Sequence, residues 1–310
     1  MDIELESGKY VVAVSGGVDS VVLLALLAKQ VQSPKSKVQG FRPSTFDLQL
    51  IVAHFDHGIR EDSSQDRQFV QALARKYGLP FVYDEGRLGP DASEATARAA
   101  RYQFLRKVQR ASGARAIITA HHQDDLLETA ILNLVRGTGR KGLSSLASNH
   151  DLRRPLLDIS KQAIIDHAES HSLDWREDPT NTDLNYLRNH IRHRLMPRLQ
   201  ESDRQKLLEI LVTAKRLNDE LDQALTNHLH LQPKSGQLDR QWFVSLPHAV
   251  AREIMAAWLR AGGVPNFDRR TLERLVIGSK ISLPGKQLDV LQGLSLQIGK
   301  EFLALKHTER

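Results

Sequence analysis

The sequence predicts an α/β fold: a parallel sheet with helices on both faces, then a helical connector and a small α+β domain. Three observations carry this expectation. Short apolar runs alternate with segments of helical spacing through the first half of the chain. A glycine turn, "SGGVDS", sits between one apolar run and the next. From Ser160 the pattern turns helical, and the polar stretch "LQPKSGQ" separates a final segment that ends in alternating apolar positions.

The elements follow in order. "VVAV" (residues 11–14) reads as a strand and residues 19–30 as a helix. "SPKSKVQGFRPSTF" is a polar loop with two prolines, and "LQLIVAHF" is a β-rich run. In "SSQDRQFVQALARKYG", Phe69, Leu73 and Tyr77 fall at helical spacing and Gly78 stops the helix. "LPFVYDE" is a short strand. "SEATARAARYQFLRKVQRAS" is a helix with Ser93 as its N-cap, "ARAIITA" a strand, and "QDDLLETAILNLVRG" a helix ended by Gly137. Such alternation makes a parallel sheet, whose ligands bind beyond the carboxyl ends of the strands. Ser15–Ser20, "AHFDHG" and "TAHHQDD" therefore fall along one edge.

Beyond Ser160, "SKQAIIDHAESHS" is a short amphipathic helix, "LDWREDPTNTDLNY" a polar loop holding Pro179, and "LRNHIRHRLMPRL" a basic helix. Residues 202–230 read as one long helix with Leu207, Ile210, Leu211, Ala214, Leu217 and Leu221 on its buried face. Two short helices, about residues 249–261 and 268–277, precede strands within 287–305. The expected division is 1–200, 201–231 and 232–310, with neither internal repeats nor low-complexity tracts.

The 310 residues carry a formal net charge of +6, which suits a polyanionic partner or serves solubility. The absence of cysteine excludes disulfides, thiolate zinc sites and cysteine-based sulfur transfer. The acidic, polar start "MDIELESGKY" is not expected to be a signal peptide, and no apolar run approaches the roughly 20 residues that span a bilayer. A cytoplasmic protein is expected.

Five segments carry chemistry. In Ser15-Gly16-Gly17-Val18-Asp19-Ser20, glycines let backbone N–H groups approach an anion at a helix N-terminus. The turn has no lysine and is too short for a Walker A loop, so γ-phosphoryl transfer is poorly supported, whereas a pyrophosphate leaving group fits. Asp19 would repel phosphate unless Mg²⁺ lies between them. A simple glycine turn is the plain alternative. In "AHFDHGIRED", His54, Asp56, His57 and Arg60 end a strand and can contact a nucleotide; zinc lacks a third ligand cluster. In "EATARAARYQFL", Glu94, Arg98, Arg101 and Tyr102 share a helix face, and the arginines can clamp phosphate oxygens or be a solvated basic face. In "TAHHQDDLLET", Asp124, Asp125 and Glu128 crowd one side of a helix start, more carboxylate than the dipole alone needs, and suit a cationic substrate or Mg²⁺. Arg188, Arg192, His193, Arg194 and Arg198 give the basic helix its cations, for RNA phosphate, for a substrate carboxylate, or as a basic surface. "GTGRKG" matches G-x-G-x-x-G but follows a helix, so it is a basic loop and not a dinucleotide fingerprint.

The hexapeptide resembles the PP-loop of the N-type ATP pyrophosphatases, which implies a Rossmann-like sheet and cleavage of ATP to AMP and pyrophosphate. Together S-G-G-V-D-S, A-H-F-D-H-G-I-R, E-A-x-A-R-x-x-R-Y, H-H-Q-D-D-L-L-E-T, R-G-T-G-R-K-G-L and D-P-T-N with R-N-H-I-R resemble the blocks of the tRNA(Ile)-lysidine synthases, in their order, over residues 11–199. The resemblance beyond that rests on layout, and is to the shorter members with one accessory domain. It implies lysine ligation to C2 of the wobble cytidine of the CAU-anticodon isoleucine tRNA through an adenylated intermediate, which switches decoding from AUG to AUA. ATP and Mg²⁺ are then the cofactors; that tRNA and L-lysine are the partners, with no membrane and a homodimer left open.

By the same resemblance, Ser15, Gly16, Gly17, Val18, Asp19, Ser20 and His54 would bind ATP, with Asp19 on Mg²⁺. Asp19, Arg98, Arg101, Asp124, Asp125 and Glu128 would be catalytic. Asp124, Glu128 and Arg188 would bind lysine, with the sharing of roles among Asp124, Asp125 and Glu128 left open. Arg140, Lys141, Arg192 and Arg194 would bind tRNA, aided by residues 232–310. Rivals are another RNA-acting PP-loop enzyme and a non-catalytic RNA binder on a nucleotide-binding scaffold. The thiolation enzymes depend on cysteines that this chain lacks, and the NAD, GMP and asparagine synthetases need other partner domains.

Overall fold

The computed structural model describes all residues except 2, 4, 33–47, 59–62, 87, 90–92, 139, 144–145, 147–150, 178–186, 231–235, 265–266, 292 and 308–310, and the backbone alone at 63, 94 and 228–230. The proline-containing loop after the first helix and residues 178–186 of the loop around Pro179 lie outside the described residues. The chain forms two compact units, Met1–Ala214 and Lys215–Arg310.

The first unit holds β1 (Gly8–Ala13), α1 (Val18–Gln32), β2 (Leu48–Asp56), α2 (Ser63–Lys76), β3 (Phe81–Glu85), α3 (Glu94–Ser112), β4 (Ala116–Ile118), α4 (Gln123–Val135), α5 (Arg140–Leu143), β5 (Leu152–Arg153) and α6 (Lys161–Ser170). The strands form one parallel sheet in the order β3-β2-β1-β4-β5. Successive residues of β1 point to opposite faces. Tyr10 and Val12 pack with Leu23, Leu24 and Leu27 of α1 and Ile164 of α6, while Val11 packs with Phe104 and Leu105 of α3. Both faces are covered, so the central strands are apolar throughout, as their sequence reads. Ser93 caps α3 by accepting from the Thr96 N–H, and Gly78 and Gly137 adopt positive φ past the ends of α2 and α4. Strand order reverses between β1 and β4, so the loops after these two strands open into one crevice.

Two expectations are corrected here. The basic segment is not one α-helix. It runs as α7 (Leu187–His190), a π turn (Ile191–Leu195) and a 3₁₀ turn (Met196–Arg198), and the Met196 N–H donates to the Ile191 carbonyl, five residues back. Ile191 and Met196 are buried with Leu127, Ala130 and Leu132 of α4, while Arg188 and Arg192 must both reach that helix. The wider winding satisfies both demands. Next, α8 (Glu201–His230) buries Leu208 and Leu211 with the same cluster, yet of the predicted row Ile210, Leu217 and Leu221 are exposed. Apolar residues surround this helix, and packing chose the stripe. The two-residue β5 also escaped the sequence reading, being too short to show a period.

The second unit contains β6 (Gln237–Asp239), α9 (Arg240–Ser245), α10 (His248–Ala261), α11 (Arg269–Ile281), β7 (Gln287–Leu291), β8 (Leu294–Ile298) and β9 (Phe302–His307). Its sheet is antiparallel in the order β6-β9-β8-β7. It is the expected α+β arrangement, with β6 and α9 in addition. Phe243, Met255, Leu259, Leu275, Leu296 and Leu303 form its core. The Arg240 guanidinium donates to the carbonyls of Ser279, Gly299 and Ser282, tying the end of α11 to the β8–β9 turn. No helix among the described residues is long and apolar enough to cross a membrane.

Phe243 is fully buried. Phe243→Ala should cost about 3–5 kcal/mol. Native-state hydrogen exchange should show lost protection in β6–β9 with the amides of β1 and β4 unchanged.

Candidate active site

The crevice has a phosphate half and a carboxylate half. The phosphate half is the turn after β1. Gly16 sits at φ +102°, where a side chain is strained, and Gly17 opens α1 with its carbonyl accepting from the Ser20 and Val21 N–H groups. The Ser20 hydroxyl accepts from the Ser15 and Gly16 N–H groups (3.2 and 3.1 Å) and donates to the Gly17 carbonyl (2.9 Å). This curls the backbone around the helix N-terminus, whose first N–H groups have no intrahelical acceptor. From outside, the Arg176 N–H donates to the Gly16 carbonyl at 3.0 Å, and the Arg176 side chain pairs with Asp66 of α2.

His54 is tied to the strand that leads into this turn. Its side chain is buried, and Nδ1 donates to the Val14 carbonyl at 2.9 Å, fixing the tautomer. Burial lowers its pKa, against the pull of the Val14 carbonyl and of Asp56 and Asp66. The ring is a neutral strut between the ends of β1 and β2. Asp56 accepts from the Gly58 N–H and the His57 ring meets Phe55 edge-on at 5.0 Å. Arg60 lies outside the described residues.

Asp19, in the first turn of α1, pairs with Lys161 at 2.5 Å, and its other oxygen lies 3.8 Å from His122 Nε2. The same nitrogen is 3.4 Å from Asp125, so His122 stands between the halves. Among the described residues no three His, Cys, Asp or Glu side chains gather as a metal cage. Mg²⁺ does not require one, since it is commonly held by one or two carboxylates together with substrate phosphates. Asp19 at the mouth of the turn meets that need.

The carboxylate half is more saturated than the sequence implied. Glu128 is 1% exposed. Arg192 holds it with two bonds (2.6 and 2.8 Å) and Asp125 with a third (3.1 Å), while Arg188 donates to Glu128 at 3.2 Å and Asp125 at 3.3 Å. Two carboxylates and two guanidiniums thus close into one set, as burial of charge demands. Burial would raise the Asp125 carboxyl, but His122, His121, Arg188 and the His122 backbone N–H outweigh it and hold the pKa low. Asp124 stands apart, paired with Arg204 of α8 at 2.5 Å. So the structure joins Asp125 and Glu128 but separates Asp124, and it places Arg192 on these carboxylates. Arg194 is exposed.

The Arg98 and Arg101 guanidiniums both lie against the Tyr102 ring, 4.9 and 5.6 Å from its centre. With Arg154, which hydrogen-bonds Tyr102, they form a cationic wall beside His121. Burial pushes the His121 pKa down to about 3; Arg154, Arg98 and Arg101 add to this and Asp125 opposes it. Arg140 and Lys141 lie on α5, whose Gly142 carbonyl accepts from Asn133 of α4. Sequence reading missed Lys161, Arg204, Arg154 and Arg176. Only His121 and His122 had a signal, their place in "TAHHQDD".

Two measurements check this electrostatics. His121 is neutral when folded down to about pH 3, whereas an unfolded histidine takes a proton near 6.5. The unfolded state therefore binds more protons between these values, and unfolding free energy should rise with pH across about 3–6.5. His121→Asn should flatten that limb in urea titrations run at a series of pH values. Glu128→Gln leaves the two arginines short of a charge and should cost about 3 kcal/mol, read from the denaturation midpoint.

Residues 3–199 match the family model described as the PP-loop domain. The tRNA(Ile)-lysidine synthase of Thermotoga sp. (strain RQ2) is 38% identical over 205 residues, which are 64% of this chain and 47% of that protein. The tRNA(Ile)-lysidine synthase of Nostoc sp. (strain PCC 7120) is 32% identical over 332 aligned residues, 97% of this chain and 92% of that protein. The chain thus spans about half the length of relatives such as the Thermotoga protein. Among solved structures, the U34-tRNA thiolase of Methanococcus maripaludis superposes with a TM-score of 0.55 at 17% identity, over 69% of this chain and 73% of that one, a likeness of fold.

Proposed function

The chain belongs to the PP-loop family and, within it, to the tRNA(Ile)-lysidine synthases, and from that premise we propose that it joins L-lysine to C2 of the wobble cytidine of the CAU-anticodon isoleucine tRNA. The observation that carries this reading is the juxtaposition of two groups at the ends of β1 and β4. There the phosphate turn and the Asp125–Glu128–Arg188–Arg192 set are separated by one histidine.

The cytidine O2 attacks the α-phosphate of ATP and pyrophosphate leaves. The lysine ε-ammonium gives a proton to a neighbouring carboxylate of α4, and the neutral amine then attacks C2 and AMP departs. The free backbone N–H groups at the start of α1 hold the pyrophosphate on a turn shaped by residues 15–20, and Asp19 would hold Mg²⁺. When bound, Mg²⁺ neutralises charge that builds on the leaving phosphates. His54, tied to the Val14 carbonyl, keeps the base of the turn in place beside the nucleotide. Arg98 and Arg101 face the adenylate.

An amino acid is a zwitterion, and the closed charge set can accept one by exchanging partners. Its carboxylate takes Arg188 while its ammonium groups take oxygens of Asp125 and Glu128, so no buried charge loses its partner. The absence of cysteine separates the chain from sulfur-transferring relatives of the fold. Residues 1–200 form the catalytic part, 201–231 a connector and 232–310 a domain that grips tRNA with Arg140, Lys141 and Arg194. The substrate places the reaction in the cytoplasm.

Labelled lysine should enter an isoleucine tRNA transcript with a CAU anticodon when ATP and Mg²⁺ are present, and AMP and pyrophosphate release should need both tRNA and lysine. No incorporation would sink the proposal, and tRNA binding without AMP release would favour a non-catalytic RNA binder. Asp19→Ala should abolish pyrophosphate release; normal turnover by that variant would remove the role given to the turn.

A further inference from the structure

Asp124 is the carboxylate of α4 that the charge set leaves out, and it has a partner of its own. Arg204 of α8 donates to it at 2.5 Å across 80 positions of sequence, and the two side chains are only 17% and 22% exposed. The helix that Asp124 starts does not call for this partner, since a carboxylate in a first turn already suits the dipole. The pair therefore serves to join two elements.

Where it joins them is informative. The apolar contact between α4 and α8 lies further along, at Leu127, Ala130 and Leu132 with Leu208 and Leu211. Such contact is non-directional and does not by itself fix a helix against turning about its axis. At the helix starts, Gln123, Glu201 and Gln205 border a cavity instead. Asp124 and Asp125 are consecutive, so they stand about 100° apart around α4. Arg204 grips the first, and Arg188 and Arg192 grip the second. Two directional contacts at that angle fix the rotation of the turn. Asp125 also accepts from the His122 N–H, so the place of His122 follows from the same rotation.

We infer that Arg204 is a positioning residue for the amino-acid site: through Asp124 it sets the rotation of the first turn of α4, and with it the place of the Asp125 carboxylate. Asp124 then anchors α8 and does not touch the substrate. The inference rests on the reading of this site given above, and deepens it by separating the carboxylate that anchors from the carboxylates that bind.

The first readout needs no substrate, so it stands even if lysine transfer is absent. In ¹⁵N spectra of the full chain, the Nε–H signal of Arg192, assigned with Arg192→Lys, should move or broaden in Arg204→Met. Asp124→Asn should change it equally, the double variant no further, and Arg204→Lys should keep it near its original place. The second readout is the KM for lysine in lysine transfer, which should rise about tenfold in Arg204→Met and in Asp124→Asn, with kcat less affected. Were Asp124 a direct ligand of the lysine ammonium, removing Arg204 would free it: Arg204→Met would lower that KM while Asp124→Asn raised it, and the inference would be overturned. A pair that serves stability alone would lower the urea midpoint and leave both readouts unchanged, which also overturns it. If Arg204→Met does not fold, the Arg192 signal of substrate-free Asp124→Asn decides: a moved signal supports the inference and an unmoved one overturns it.

Discussion

The structure around the crevice follows from one costly choice, the burial of Glu128. A carboxylate removed from water needs cationic partners with good geometry. Arg192 supplies a two-pronged contact and Arg188 a second guanidinium. Because these arginines lie four residues apart on one segment, that segment must run alongside α4. Ile191 and Met196 then enter the apolar cluster that α4 shares with Leu208 and Leu211. Charge pairing and core packing here are a single arrangement, so neither can be altered alone.

The other half of the crevice depends on backbone geometry rather than on charge. The turn after β1 is shaped by Gly16, by the Ser20 hydroxyl and by a carbonyl contact from Arg176. His54 braces it from beneath. These contacts come from segments far apart in the chain, which is why a six-residue turn holds one conformation. His122 joins the two halves, within reach of both Asp19 and Asp125.

Much of the sheet was legible because its strands are apolar runs bounded by glycine, proline and polar turns. The edge bearing Ser15–Ser20 and "TAHHQDD" followed from the rule for parallel sheets. What was hidden has a common cause. Ion pairs such as Lys161–Asp19 and Arg204–Asp124 join residues 142 and 80 positions apart, and no periodicity marks such partners. The carboxylates of α4 therefore looked free, although their arginines were visible in another motif. Likewise the buried stripe of α8 was chosen by Leu127 and its neighbours, not by spacing within the helix itself. Beyond residue 231, β6 and α9 are too short for their patterns to stand out.

The π turn has a consequence for sequence length. An α-helix turns about 100° per residue, and a π closure absorbs one residue more in each turn. Residues 191–195 thus store a surplus residue inside regular backbone. Removing one would let the π turn close as an α turn with no gap in the chain. It would also rotate the side chain of Arg192 relative to that of Met196 and the core beneath, away from Glu128. A one-residue length difference here, harmless in an ordinary loop, would act as a change in the charge pattern of the crevice.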